Sequence, residues 1–163
     1  MVTILTCEWT HHLSYSPGLI AVSLGPTKPT VENIRMSKEF GINLCATDQT
    51  ILASVAGGYS GRHFDKISAL KELGFQFYQG DSIDVLMVKG ASLSAECKLF
   101  KEVTFGDHVM LIGEVIDALH NHGKESLIYH NSKYWSLQSI VKPDQETRQS
   151  IKDILEKHRK NSQ

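Results

Sequence analysis

Two long strand-like segments that meet at one tight turn constrain this chain more than any other feature. From His108 to Leu119 the pattern alternates: Val109, Leu111, Gly113 and Val115 face one way, and His108, Met110, Ile112, Glu114 and Ile116 the other. Ala91 to Thr104 alternates in part, with Leu93, Ala95, Cys97 and Leu99 on one face, and Phe105-Gly106-Asp107 supplies the turn between the two. Shorter strands are expected over Val2–Trp9, Gly18–Leu24, Phe40–Cys45, Phe75–Tyr78 and Asp84–Val88. Helices are inserted singly: Thr30–Glu39 with Thr30 as N-cap, Gln49–Ala56 capped by Thr47 or Asp48, and Phe64–Leu73 stopped by Gly74. Long strands, tight turns and single helices predict a mainly β fold, a barrel with helical decorations rather than a doubly wound sheet. From Pro143 a helix follows, with Ile151, Ile154, Leu155 and His158 as a narrow stripe expected to pack on its own domain or a subunit partner.

Charge narrows the partners. Seventeen basic residues against eighteen acidic give a net charge of −1, so no basic surface calls for nucleic acid. An acidic ligand is then expected to be small and held in one pocket. Apolar runs such as Gly18–Leu24 are far too short to span a membrane, and the first residues lack the charged-then-apolar pattern of a signal peptide. Cys7, Cys45 and Cys97 form no Cys-x-x-Cys pair or disulfide framework, which suits a reducing cytoplasm.

One segment concentrates anion chemistry. Ser60-Gly61-Arg62-His63-Phe64-Asp65-Lys66 follows Gly57-Gly58-Tyr59, so the backbone can turn tightly and bring N–H groups to a ligand. Arg62 and Lys66 would sit at the N-terminal end of the Phe64–Leu73 helix, where a phosphate is favoured. The alternative is a solvated loop with a surface salt-bridge cluster around Asp65. Other chemistry finds little support. His11-His12 point apart on a strand, His120 and His122 lie in a turn, and no ligand-spaced Cys or carboxylate accompanies them, so no metal is expected. Ser60 lacks a full Gly-x-Ser-x-Gly elbow, and no Gly-x-Gly-x-x-Gly or Walker loop occurs. An anion site without acid–base machinery leaves the chemistry to a cofactor.

Six segments in order resemble one family. Thr3-Ile4-Leu5-Thr6-Cys7-Glu8-Trp9, Gly18–Gly25 with Lys28 and Thr30, Glu39–Leu44, Ser60-Gly61-Arg62-x-x-Asp65-Lys66, Glu96-Cys97, and Gly106-Asp107-His108 through Gly113-Glu114-Val115 are similar to the motifs of the flavin reductase-like, FMN-binding split-barrel proteins. The resemblance runs to Tyr134–Leu137 and implies a Greek-key split β-barrel over residues 1–140, with a helical tail over 141–163. Family members usually carry a further strand before the first of these segments, and Thr3 stands where they have Asn. That departure implies an open barrel edge, covered by a dimer partner.

The resemblance implies a homodimer with FMN near the subunit interface. Thr6, Cys7, Glu8 and Trp9 would lie along the isoalloxazine and ribityl chain, and Ser23, Leu24, Gly25, Lys28 and Thr30 would form the phosphate turn. Ser60, Arg62 and Lys66 would add positive charge or hydroxyls for the same phosphate or for those of NADH or NADPH. His108 would meet the nicotinamide or gate solvent. The implied activity is a flavin or ferric reductase passing electrons from the nicotinamide to a small acceptor or a partner redox protein. A non-enzymatic FMN electron carrier and a cofactor-free interaction barrel are the alternatives.

Overall fold

In the computed structural model, described over residues 2–137 and 144–157, strands outnumber helices and every strand pair is antiparallel. The chain begins with an extended, unpaired segment and enters the sheet at β1 (Thr10–Tyr15), followed by β2 (Gly18–Leu24), α1 (Pro29–Ser37) and β3 (Glu39–Leu44). Two helices come next, α2 (Thr50–Gly58) after a short 3-10 turn and α3 (Lys66–Glu72). A small hairpin, β4 (Phe77–Gln79) and β5 (Leu86–Val88), leads to the long strands β6 (Leu93–Phe105) and β7 (His108–His120). The hairpin β8 (Ile128–His130) and β9 (Lys133–Trp135) and the helix α4 (Gln145–Lys157) complete the described chain. The main sheet has the order β1-β2-β7-β6-β3, which makes the mainly β architecture with inserted helices that the alternation predicts.

The β6–β7 hairpin is its frame. Its two-residue turn places Gly106 at φ 55°, a conformation that costs a side-chain-bearing residue more than glycine. Val109 and Leu111 of β7 are fully buried with Cys97 of β6, against Val22, Leu24, Val31, Ile34 and Phe40. Burial pushes the Cys97 thiol up to about 12, helped by the nearby Glu96 charge, so it is an inert core residue. Phe40 crosses β7 at Gly113, where a Cβ would lie 2.5 Å from Phe40 Cζ. Glycine there is a packing requirement.

The centre of β6 is covered on both faces, which the alternation did not foretell. Ser94 and Glu96 are buried although they oppose the apolar face, because the segment around β4 and β5 folds over them. Glu96 accepts hydrogen bonds from the amides of Asp81, Ser82 and Ile83, and Asn43 Oδ1 accepts from Val88 N and Ser94 Oγ. A buried carboxylate is tolerated when it is bonded this fully.

Several element boundaries differ from the sequence-based expectations. Val2–Trp9 is not a strand. Pairing with β2 starts only at Thr10, and Ser16-Pro17 closes that hairpin. Lys28, not Thr30, is the N-cap of α1, because Pro29 suits the first helical position, where no N–H is needed. The third helix starts at Lys66 rather than Phe64, since the Asp65 side chain accepts from Ser68 N and caps it there. On α4, Ile151 and Ile154 are exposed rather than packed on their own domain. Pro143, His158 and the side chain of Leu155 lie outside the described residues.

Candidate functional site

Seven consecutive residues, Thr3 to Trp9, form one wall of a cleft of about 230 Å³. Their alternation has a structural use: Leu5 and Cys7 pack on the sheet core, while Ile4 packs on the second core of Leu52, Leu70 and Val88. The strap therefore lies in the seam between two cores. Among the described residues, none of the amides from Thr3 to Glu8 donates a hydrogen bond. Its polar anchors are Trp9 O, which accepts from Ser23 N at 2.9 Å, and Thr6 Oγ1, which donates to Ala53 O at 2.7 Å. The Cys7 thiol points at the carbonyls of Trp9 and Ser23. A row of unbonded amides beside a cleft is a donor array for a ligand.

The end of β2 and the turn into α1 build the opposite side, through Ser23, Leu24, Gly25, Lys28 and Thr30. Lys28 is the N-cap of α1, so its ammonium and the positive end of that helix meet at the cleft. Lys28 makes no ion pair among the described residues. Hydroxyls of Thr30 and Ser60 border the same space. Cation, hydroxyls and free amides together fit a phosphate.

The third wall comes from the C-terminal end of α2 and the loop after it: Ala56, Gly57, Tyr59, Ser60 and Gly61, with Lys66 beneath. Gly57 lets the strap approach, since a Cβ there would lie 3.1 Å from Thr6 Cβ. Lys66 is buried, and its Nζ donates to Ala56 O at 2.8 Å and Tyr59 O at 3.0 Å. Burial, with the charge of Lys28 adding to it, lowers the Lys66 ammonium below its ordinary range.

Arg62 is the one expected site residue that does not line this cleft. Its Nη2 donates to Thr27 O and to Glu32 Oε1, both at 2.7 Å, and it borders a second hollow with His63, Phe64 and Asp65. The expected cation pair at a helix N-terminus is thus corrected. Asp65 fills the α3 N-terminus, and Arg62 and Lys66 turn to different partners.

His108 begins β7 and lines the cleft, with its ring 4.6 Å from that of Trp9. Its Nδ1 lies 2.8 Å from Asp107 Oδ1. An ionised carboxylate only accepts, so Nδ1 is the donor in this bond. The hydrogen bond from His108 holds the Asp107 carboxyl below its usual range. Asp107, Tyr59 and Gly57 enter the sequence reading only as turn and motif residues, not as site residues. Asp107 adjoins His108, and Gly57 belongs to an evident turn signal, so both carried a usable sign.

The histidines do not gather into a metal site among the described residues. Among the described residues, the single group of three close ligands is Asp81, Glu96 and Asp117, away from the cleft, where Glu96 is already committed to backbone amides. No described helix is long and apolar enough to cross a membrane.

Comparison with known proteins gives this geometry a context. The chain is 33% identical over 127 residues to the NADH-dependent FMN reductase AsuE2 of Streptomyces nodosus subsp. asukaensis, covering 77% of this chain and 65% of that one. It is 27% identical over 117 residues to an uncharacterized protein of Archaeoglobus fulgidus, covering 72% and 64%. The matched parts are thus just under two thirds of these relatives' length. Among solved structures, the FMN-binding protein from Thermus thermophilus with bound p-hydroxybenzaldehyde superposes with a TM-score of 0.75 at 25% identity, covering 85% of this chain and 81% of that one. The flavin reductase like domain matches residues 2–138, nearly the whole of the described fold. The chain belongs to the flavin reductase like domain family, and its mainly β fold is that family's split barrel.

Proposed function

We propose that this chain is an FMN-binding flavoprotein that oxidises NADH or NADPH and passes the electrons to a small acceptor or a partner redox protein, as a cytoplasmic homodimer. One observation carries the reading: the amides of Thr3–Glu8, unbonded among the described residues, lie along a cleft that also holds Lys28 at the start of α1, which makes no ion pair among those residues. Lys28, Thr30 and Ser60 would hold the phosphate, and the strap amides would face the polar edge of the ring system. Bound FMN supplies hydride acceptance from the nicotinamide and onward electron transfer. The residues of the chain bind, orient and shield.

Donors fixed in place before a ligand arrives need no reorganisation when negative charge develops beside them. Trp9 and His108 lie with tilted rings 4.6 Å apart at the cleft and would flank a bound ring system. Asp107 orients the His108 ring beside the cleft through its bond to Nδ1. Hydride transfer from a nicotinamide to a flavin requires no protein base. The similarity to AsuE2 supports the reductase over a passive carrier.

The test begins with the absorbance spectrum of protein purified without added flavin, then titration with FMN, then steady-state oxidation of NADH and of NADPH with FMN present. Flavin binding with turnover of either nicotinamide is expected. A protein that binds FMN without oxidising either would be a carrier, and one that binds no FMN would end the flavoprotein reading. Sedimentation of the same sample checks the homodimer.

A further inference from the structure

Helices α1 and α2 present opposite ends to the cleft. The N-terminus of α1 favours an anion, whereas the C-terminus of α2 brings carbonyl oxygens and the negative end of its dipole to the same space. Left bare, that end would oppose a phosphate. It is not bare. Thr6 Oγ1 donates to Ala53 O, and Lys66 Nζ donates to Ala56 O and Tyr59 O, so three carbonyls spaced three residues apart are held by cleft residues.

We propose that Lys66 is a positioning residue rather than a ligand to the bound anion: its buried ammonium neutralises the C-terminal end of α2 and fixes the Tyr59–Gly61 wall of the cleft. The proposal rests on the flavin-binding reading above. Three features support it. Lys66 is only 5% exposed, and it meets no carboxylate among the described residues, so its charge is compensated by carbonyl dipoles alone. Two of its three N–H donors are committed to carbonyls ten and seven residues back in the chain, which ties the first residue of α3 to the end of α2. Tyr59, whose carbonyl it grips, is itself a wall residue followed directly by Ser60 and Gly61. Lys28, by contrast, has no such commitments among the described residues and lines the same cleft. A buried ammonium facing carbonyls thus differs in role from the exposed one at Lys28, although the sequence writes both as lysine.

The two roles separate when flavins with and without a phosphate are compared. Wild type, Lys66→Met, Lys66→Arg and Lys28→Met would each be titrated with FMN and with riboflavin, and amide hydrogen exchange over residues 59–62 would be followed in the flavin-free proteins. Lys28→Met is expected to weaken FMN alone. Lys66→Met is expected to weaken both flavins, on the order of tenfold each, and to speed exchange in the loop. Lys66→Arg, which can still donate to both carbonyls, restores slow exchange and most of the affinity. A loss confined to FMN, with loop exchange unchanged, would make Lys66 a direct phosphate ligand and overturn the proposal, as would no change at all. If Lys66→Met does not fold, Lys66→Gln keeps two N–H donors and allows the same comparison of shared against FMN-only loss. Wild type binding neither flavin would defeat the flavoprotein reading alone, because the exchange measurement still decides what Lys66 does to the loop.

Discussion

The strap over Thr3–Trp9 and the strand β7 carry similar local patterns and meet different fates. Both alternate apolar and polar residues. In β7 every residue from Val109 to Glu114 has a partner on β2, and the inward side chains are buried to nothing. In the strap the side chains divide between two cores, while the backbone bonds to β2 only at Trp9 O and, among the described residues, the amides from Thr3 to Glu8 stay unbonded beside the cleft. The difference teaches that alternation specifies a buried face and not a ladder. Hydrogen-bonding capacity withheld from the sheet becomes available to a ligand.

Deleting core volume from β7 should break the molecule first. Leu111 is fully buried among Val22, Phe40 and Cys97, so Leu111→Ala is expected to cost about 3 kcal/mol of unfolding free energy, by lost transfer and a residual cavity. Urea denaturation followed by circular dichroism measures it. A cost near zero would mean that the sheet core is no more essential to stability than the strap.

Thr6→Val is the matching change on the strap, of nearly the same shape. It removes the hydrogen bond to Ala53 O and is expected to cost about 1 kcal/mol of stability. Its larger consequence should be in binding: the strap loses its anchor to α2, and FMN affinity falls while the urea midpoint moves little. If the midpoint falls as far as for Leu111→Ala, the strap is a structural strand in all but its bonds, and the contrast dissolves.

How much of this was readable beforehand follows the same division. The β6–β7 hairpin is local: a period of two, a glycine where φ is positive, and one continuous run of chain. Its recognition needed nothing from elsewhere. Whether Val2–Trp9 forms a strand depends on whether β2 offers it a ladder position, and β2 is engaged by β1 and β7 instead. Arg62 and Lys66 show the same limit. Their charges are visible in the sequence, but Glu32 lies thirty residues from Arg62, and the carbonyls that hold Lys66 belong to another helix. The family motifs gathered most of the expected site residues because they encode tertiary neighbours that periodicity cannot. The start of α3 is within reach of local rules, since Asp65 is an N-cap residue type whose side chain accepts from Ser68 N.

That cap supplies the smallest effect and a direct check of why Arg62 and Lys66 do not share a helix N-terminus. The Asp65 carboxyl is held below its usual range, first by the Ser68 amide and then by the Ser68 hydroxyl. A carboxyl whose folded pKa is depressed stabilises the protein above its unfolded pKa, and that contribution disappears as pH falls through the folded value. Asp65→Asn can still accept at the cap but carries no charge toward the helix N-terminus. Wild type should therefore exceed Asp65→Asn slightly in urea midpoint at about pH 7, with the gap closing below about pH 4, near the unfolded carboxyl value. A gap that persists unchanged at lower pH would show that Ser68 reads only the oxygen atom and not its charge. The α3 N-terminus would then retain an uncompensated positive end, and the assignment of anion binding to the α1 side of the cleft would lose one of its reasons.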